Sequence, residues 1–223
     1  MKTWIGSELN PMDGLFTLNE ACLSEIENAL CLIRDNPLPL LMLHPSNFYM
    51  PRCKELINSV LDCLENGFGF CLLDRLPIED MTDNEAKSIY WLLSQMLGRP
   101  VAQKWCDGRM LYSVTDLGRP SGNGVRPDVT NEEQSFHTDN SYNICPPNIV
   151  GLLCLQPSMS GGLSRVVNMK AVLERMEITN KTHTERLYRP FVFDRQKEHS
   201  ERDPATLENP ILKRSEDGLR IRV

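Results

Sequence analysis

Residues 135–168, SFHTDNSYNICPPNIVGLLCLQPSMSGGLSRVVN, decide the fold and the chemistry expected of this chain. His137, Thr138 and Asp139 lie near the start of this stretch. Residues two apart on an extended backbone project to the same side, so His137 and Asp139 are predicted to converge while Thr138 faces away. Together with a distant second histidine, this imidazole and carboxylate would form the ligand set that holds Fe(II) and leaves positions open.

The pattern of a histidine with an acid two positions later is not specific by itself. It recurs at His183 and His199, because the chain has 30 acidic residues and four histidines. The flanking sequence distinguishes His137: a polar turn with two prolines follows it, and then the apolar run 149–155, which is predicted to be a buried strand. The flanks of His183 and His199 are charged, which predicts solvated surface histidines. A ligand role for one of them is left open.

Two adjacent glycines, Gly161 and Gly162, interrupt the sequence after the apolar run. Glycine permits backbone angles and close approaches that other residues resist. A hairpin turn would use the same pair, so a turn and a loop that approaches a ligand are both open at this point.

The order of these motifs closely resembles the taurine dioxygenase and 2,4-dichlorophenoxyacetate dioxygenase family of Fe(II)- and 2-oxoglutarate-dependent oxygenases. The matching order is His-Thr-Asp, Pro-Pro, Leu-Leu-Cys-Leu, Ser-Gly-Gly-Leu-Ser and Val-Val-Asn before a helix. The resemblance also includes residues 67–73, 97–100, 103, 191–195 and 217–220. It therefore extends over most of the chain, and the central block is its specific part.

The resemblance implies a fold, two cofactors and four site residues. The implied fold is α+β: a double-stranded β-helix (a cupin-like jelly roll) with flanking helices, here in a single domain over residues 1–223. His137 and Asp139 fall on the first two iron ligands, and Gly162 and Ser164 fall beside 2-oxoglutarate, the co-substrate that such enzymes convert with O2 to succinate and CO2. The expected reaction is hydroxylation, with desaturation as an alternative. A small polar, amino-acid-like substrate would suit residues 140–142, although a turn explains the same residues.

One departure from the family concerns the third iron ligand. The second histidine ligand and an arginine for 2-oxoglutarate are expected well downstream, and no residue of this chain matches either. Residues 217–223 have the pattern of a turn entering a strand. We therefore expect a fragment of a longer protein or a jelly roll incomplete at its C-terminus. The alternative function is that of an inactive jelly-roll remnant or a binding protein that depends on a partner.

Composition and charge exclude several other classes of protein. The 223 residues are 41% hydrophobic, which suits one domain, and the net charge of -6 argues against a nucleic-acid partner. Eight cysteines without a CxxC pair argue against a zinc site. No signal peptide and no apolar run of about 18 residues is present. The expectation is a cytoplasmic enzyme with reduced thiols and a small-molecule substrate; a homo-oligomer is left open.

Periodicity and capping signals predict the remaining elements. Helices are expected from Thr17 to Arg34, from Pro51 to a stop at Gly67, and from a capping box at Thr82 to Leu97, with Tyr90 and Trp91 packing in the core. Strands are expected at 68–73 and 110–115. The polar loop 117–134 is either a lid over substrate or a surface excursion.

Overall fold

The computed structural model describes residues 1–104, 107–120, 122, 125, 127–143, 145–215 and 218–223. They divide into two compact units, one of Met1–Pro100 with Gly151–Ala171 and one of Val101–Val150 with Val172–Val223. Both helices and strands are present, as the α+β class requires. A single domain over residues 1–223 stays a prediction.

Three helices form the core of the first unit: α1 (Glu20–Asp35), α2 (Pro51–Asn66) and α3 (Asp83–Leu97). Their apolar faces are buried against one another, and each fully buried Leu or Ile side chain contributes about 1.5–3 kcal/mol. Beside them, β1 (Leu15–Thr17) pairs in parallel with β2 (Leu72–Asp74). The side chains that fill this core include Ile26, Leu30, Cys53, Ile57, Ile89 and Leu92.

The helix predictions are confirmed for α2 and α3 and are wrong in two details. The α1 cap is Asn19, whose side chain accepts a hydrogen bond from Cys22 N at 2.9 Å, whereas Thr17 is the last residue of β1. Gly67 ends α2 at φ -95°, outside the left-handed region expected of a glycine stop. A Cβ at Gly67 would lie 2.7 Å from Cys63 O, so the glycine is needed for space.

An ion pair joins the end of α1 to the start of α3. Thr82 and Glu85 form the predicted capping box, in which Thr82 Oγ1 accepts from Glu85 N and the Glu85 carboxylate accepts from Thr82 N. Arg34 Nε also donates to Glu85 Oε1 at 2.7 Å. The Arg34 hydrogen bond, followed by the Thr82 backbone bond, lowers the pKa of Glu85 from 4.5 to about 2. Glu85 is therefore ionised throughout the physiological range.

The low pKa of Glu85 predicts an acid-dependent contribution to stability. A carboxylate with a depressed folded pKa stabilises the fold above its unfolded pKa, and this contribution is lost as the pH falls through the folded pKa. We expect Glu85→Gln to lower the melting temperature at pH 7, with the difference from wild type shrinking between pH 4.5 and pH 2. Thermal melts of both proteins across that range test this. The control is Glu27→Gln, at an exposed position of α1, and an equal loss at every pH would contradict the prediction.

Three predicted strands are wrong in whole or in part. Only residues 72 and 73 of the predicted strand 68–73 join a ladder, as part of β2, and residues 110–115 and 149–155 form none with any described residue. Leu152, which was expected to be buried, is 79% exposed. An extended segment becomes a strand only when a neighbour pairs its backbone groups, and apolar composition alone does not supply that neighbour.

The second unit carries two antiparallel pairs of strands. After α4 (Met169–Thr179) and α5 (Lys181–Leu187), β3 (Pro190–Asp194) pairs with β4 (Thr206–Pro210), and β5 (Leu212–Ser215) pairs with β6 (Gly218–Ile221). The predicted turn before β6 includes residue 217, which lies outside the described residues. All sheets in the described part of the chain are two-stranded, so the expected double-stranded β-helix is not seen there.

Lys104 holds together the irregular part of the second unit. Its Nζ lies 3.5 Å from Asp128 Oδ2, 3.8 Å from Glu198 Oε1 and 4.2 Å from the centre of the Tyr112 ring. The side chains of Lys104, Asp128 and Glu198 are only 14–15% exposed. These four residues, the Lys104 cluster, link three segments that no strand ladder joins.

The described residues include no helix long and apolar enough to cross a membrane. Seven cysteines are free thiols, and Cys106 lies outside the described residues. Trp91 is 4% exposed and donates from Nε1 to Leu43 O at 3.1 Å, which confirms its packing role. The predicted loop 117–134 is irregular apart from a 3-10 turn at Pro127–Val129, and its residues 121, 123, 124 and 126 lie outside the description.

Candidate metal site

The side chains of His137 and Asp139 converge in the second unit. His137 Nε2 lies 3.3 Å from Asp139 Oδ1, and both side chains are a little under half exposed. The Thr138 side chain has a different partner, because its Oγ1 accepts a hydrogen bond from Val223 N at 3.1 Å. The predicted convergence of His137 and Asp139 is therefore present. The role of His137 and Asp139 as metal ligands stays a prediction.

The hydrogen bond on the other ring nitrogen of His137 makes this pair suitable for a cation. His137 Nδ1 lies 2.7 Å from Ser135 O, and a carbonyl oxygen only accepts, so Nδ1 carries the proton. Nε2 then faces a carboxylate oxygen, and a positive charge between them, either a proton or a metal ion, makes this short separation favourable. Neighbouring ligands of one metal ion at about 2.1 Å lie about 3 Å apart, close to the observed separation.

The other two histidine–acid pairs do not join this site. His183 is exposed on α5, as predicted. His199 is half-buried, and its Nδ1 lies 2.8 Å from Ser200 O, so the prediction of a solvated side chain is wrong for this residue. Within the described ranges, no group of three His, Cys, Asp or Glu side chains is placed to hold a metal ion. The predicted pair would therefore account for two ligands of the expected three.

The loop after Asp139 is a tight turn. Asn140 has φ +50°, and its carbonyl oxygen accepts from Asn143 N at 2.8 Å. The Tyr142 hydroxyl donates to Asn140 Oδ1 at 3.1 Å, and Tyr142 is 5% exposed. Of the two explanations for these residues, the structure favours turn formation over a pocket lining.

The residues predicted to approach 2-oxoglutarate lie in the first unit. Gly161 and Gly162 have φ values of +74° and +66°, which L-amino acids with a side chain seldom adopt. A Cβ at Gly162 would overlap Ser158 Oγ, so this position also lacks space for a side chain. Gly162 and Ser164 are exposed. The glycines are thus explained by backbone geometry, and the contact with 2-oxoglutarate stays a prediction.

Two cavities among the described residues are lined by none of the predicted site residues. A cavity of about 280 Å³ in the second unit is lined by Glu177, Lys181, Thr184, Glu185 and Tyr188. A larger one of about 450 Å³ in the first unit is lined by His44, Pro45, Ser46, Phe48, Tyr49, Met50, Pro51, Lys54, Gln95 and Met96. Lys54 and Gln95 donate to Met96 O and Leu43 O, so these two polar groups already serve the fold.

No signal in the sequence predicted the contacts between residues 138–141, around the His137–Asp139 pair, and residues 222–223. Thr138 N donates to Val223 O at 3.0 Å, and Arg222 Nη1 donates to Ser141 O at 2.8 Å. The alternation in residues 217–223 indicated a strand, but an arginine after a strand carries no signal that its side chain is buried. Only the tertiary structure places it there.

Comparison with known proteins gives two matches. The model of the taurine catabolism dioxygenase TauD, TfdA family matches residues 46–217. FR-33289 synthase of Streptomyces rubellomurinus is 30% identical over 149 residues, which are 66% of this chain and 42% of that relative. The chain therefore matches less than half the length of this curated protein.

Proposed function

Since the chain belongs to the taurine catabolism dioxygenase TauD, TfdA family, we propose that it is an Fe(II)- and 2-oxoglutarate-dependent dioxygenase. Family membership supports a dioxygenase-type oxidoreductase as its class. The proposed reaction is hydroxylation of a small polar, amino-acid-like molecule. The acidic net charge is consistent with such a substrate rather than a nucleic acid, and a cytoplasmic location stays a prediction.

One observation carries the proposal: His137 Nε2 and Asp139 Oδ1 converge to 3.3 Å, while Ser135 O holds the other ring nitrogen of His137. A hydrogen bond of this kind fixes the ring orientation and the tautomer of a histidine ligand. His137 and Asp139 would hold Fe(II) on one side. Fe(II) and 2-oxoglutarate, when bound, supply the activation of O2, with succinate and CO2 as co-products.

The remaining residues of the proposed site act on the co-substrate. Ser164 would donate its hydroxyl to 2-oxoglutarate, and the positive φ of Gly161 and Gly162 would let the backbone approach it.

An anaerobic titration tests the proposed function. The 223-residue chain is titrated with Fe(II) and then with 2-oxoglutarate, and the visible charge-transfer band of the chelated co-substrate is recorded. We expect a band that saturates with both additions. If no band appears at any concentration, the chain does not assemble the site, and the alternative of an inactive remnant or partner-dependent protein is favoured instead.

Ser164→Ala should weaken the binding of 2-oxoglutarate without affecting iron. Loss of a hydrogen bond to a charged group costs about 1.5–3 kcal/mol, which corresponds to at least about tenfold in affinity. The Fe(II) affinity should stay within about twofold, because Ser164 is not a ligand. The measurement is the same titration, with Ser160→Ala as the matched control at a neighbouring exposed serine. Equal losses in the two variants would rule out the assigned role of Ser164.

A further inference from the structure

Arg222 is a buried arginine next to the candidate metal motif. It follows β6, and its backbone N donates to Ile211 O at 2.8 Å, which extends the β5–β6 hairpin beyond the last ladder pair. Its side chain is buried, with only 7% of the residue exposed. Burial of a guanidinium is costly unless its hydrogen-bonding groups are satisfied, so this position needs a specific explanation.

The partners of Arg222 are backbone carbonyls of the loop that follows Asp139. Nη1 donates to Ser141 O at 2.8 Å and also to Asn143 O. These carbonyls lie two and four residues after Asp139, on either side of the buried Tyr142. The rigid, planar guanidinium fixes the spacing of its acceptors, which the flexible ammonium of a lysine does not.

Val223 forms hydrogen bonds with Thr138, the residue between His137 and Asp139. Thr138 N donates to Val223 O at 3.0 Å, and Val223 N donates to Thr138 Oγ1 at 3.1 Å. Thr138 lies between the two candidate ligands. Residues 222–223 therefore contact the backbone immediately before Asp139 and again shortly after it. Residues 137–139 belong to no strand, so these hydrogen bonds fix the position of their backbone in place of a strand ladder.

We propose that Arg222 is a positioning residue for the metal site: its guanidinium holds the Ser141 and Asn143 carbonyls so that Asp139 stays directed at His137. This inference rests on the proposed function, since it assumes that His137 and Asp139 bind the metal. Groups that orient metal ligands typically change metal affinity by about 10–100-fold when they are removed. Arg222 acts here on the backbone that carries the ligand.

Co(II) binding tests this role, because the visible d–d absorption of Co(II) reports the geometry of its ligands. Wild type, Arg222→Lys and Arg222→Met are titrated with Co(II) without co-substrate. We expect both variants to bind about 10–100-fold more weakly than wild type, with an altered band shape. Arg220→Met is the matched control: it removes an exposed arginine from β6, the strand that Arg222 follows, and its affinity should stay within about twofold.

A purely structural role would produce a different result. It would lower the melting temperature of Arg222→Lys but leave the Co(II) affinity and band of the folded protein unchanged, and that outcome overturns the proposal. If Arg222→Lys and Arg222→Met do not fold, Arg222→Gln is measured instead, because its uncharged amide is less costly to bury and its shorter side chain no longer reaches both carbonyls in the same way. We expect this variant to weaken Co(II) binding several-fold, and wild-type affinity would overturn the proposal.

A His137→Ala variant distinguishes a failure of the positioning role of Arg222 from a failure of the proposed function. Co(II) binding that His137→Ala abolishes, combined with unchanged binding in Arg222→Lys, overturns the positioning role alone. Co(II) binding by wild type that survives His137→Ala overturns the proposed function and this inference together.

Discussion

His137→Ala and Asp139→Ala should each reduce the Fe(II) affinity of the chain by more than about 100-fold, beyond the range seen for groups that only orient ligands. Each variant removes one of two donors that lie 3.3 Å apart, and a single remaining donor cannot chelate. The anaerobic titration described above measures this loss. The charge-transfer band with 2-oxoglutarate should disappear in both variants.

His183→Ala is the matched control for the ligand variants. His183 also has an acidic residue two positions later, but it lies exposed on α5. Its removal should leave the Fe(II) affinity within about twofold. Because metal ligands bind in their deprotonated form, the wild-type affinity should also fall as the pH is lowered. Iron binding that persists unchanged in His137→Ala and Asp139→Ala would reject the site.

Lys104→Met should cost about 3–5 kcal/mol in the free energy of unfolding, the typical result of removing one member of a buried ion pair. The substitution removes the cation that Asp128 Oδ2 and Glu198 Oε1 both approach, and it leaves two carboxylates that are only about 15% exposed. The described residues around the Lys104 cluster are also joined by no strand ladder. Urea unfolding followed by far-UV circular dichroism measures the change.

Two further variants show whether charge or packing is responsible. Lys104→Arg keeps the positive charge and should lose less stability than Lys104→Met. Lys213→Met removes an exposed lysine of β5 in the same unit and should change the unfolding free energy by less than about 0.5 kcal/mol. A loss in Lys104→Met no greater than that of Lys213→Met would show that the Lys104 cluster contributes little.

The parts of the fold that the sequence predicted well depend on local signals. The capping box at Thr82 and the apolar periodicity of α2 and α3 involve residues three or four apart, which meet on a helix whatever the rest of the chain does. The convergence of His137 and Asp139 is similar, because side chains two apart on an extended backbone share a side. The position of Asn19, rather than Thr17, at the start of α1 depended on β1, which needs β2 from a distant part of the chain.

The strands were predicted poorly for the same physical reason. Residues 149–155 have the composition of a buried strand, yet a strand exists only through its pairing with another segment, and composition does not identify that segment. The jelly roll implied by the family resemblance likewise depends on pairings that are not seen among the described residues.

By itself, the sequence determined helices α2 and α3, the family and the two candidate ligands, because each of these is encoded in short-range spacing or in the order of motifs. The tertiary structure alone decided that Arg222 and Val223 hold the backbone around Asp139, and that Lys104 joins Asp128 and Glu198. These contacts connect residues 24 to 94 positions apart, and no local pattern specifies which distant groups will meet when the chain folds.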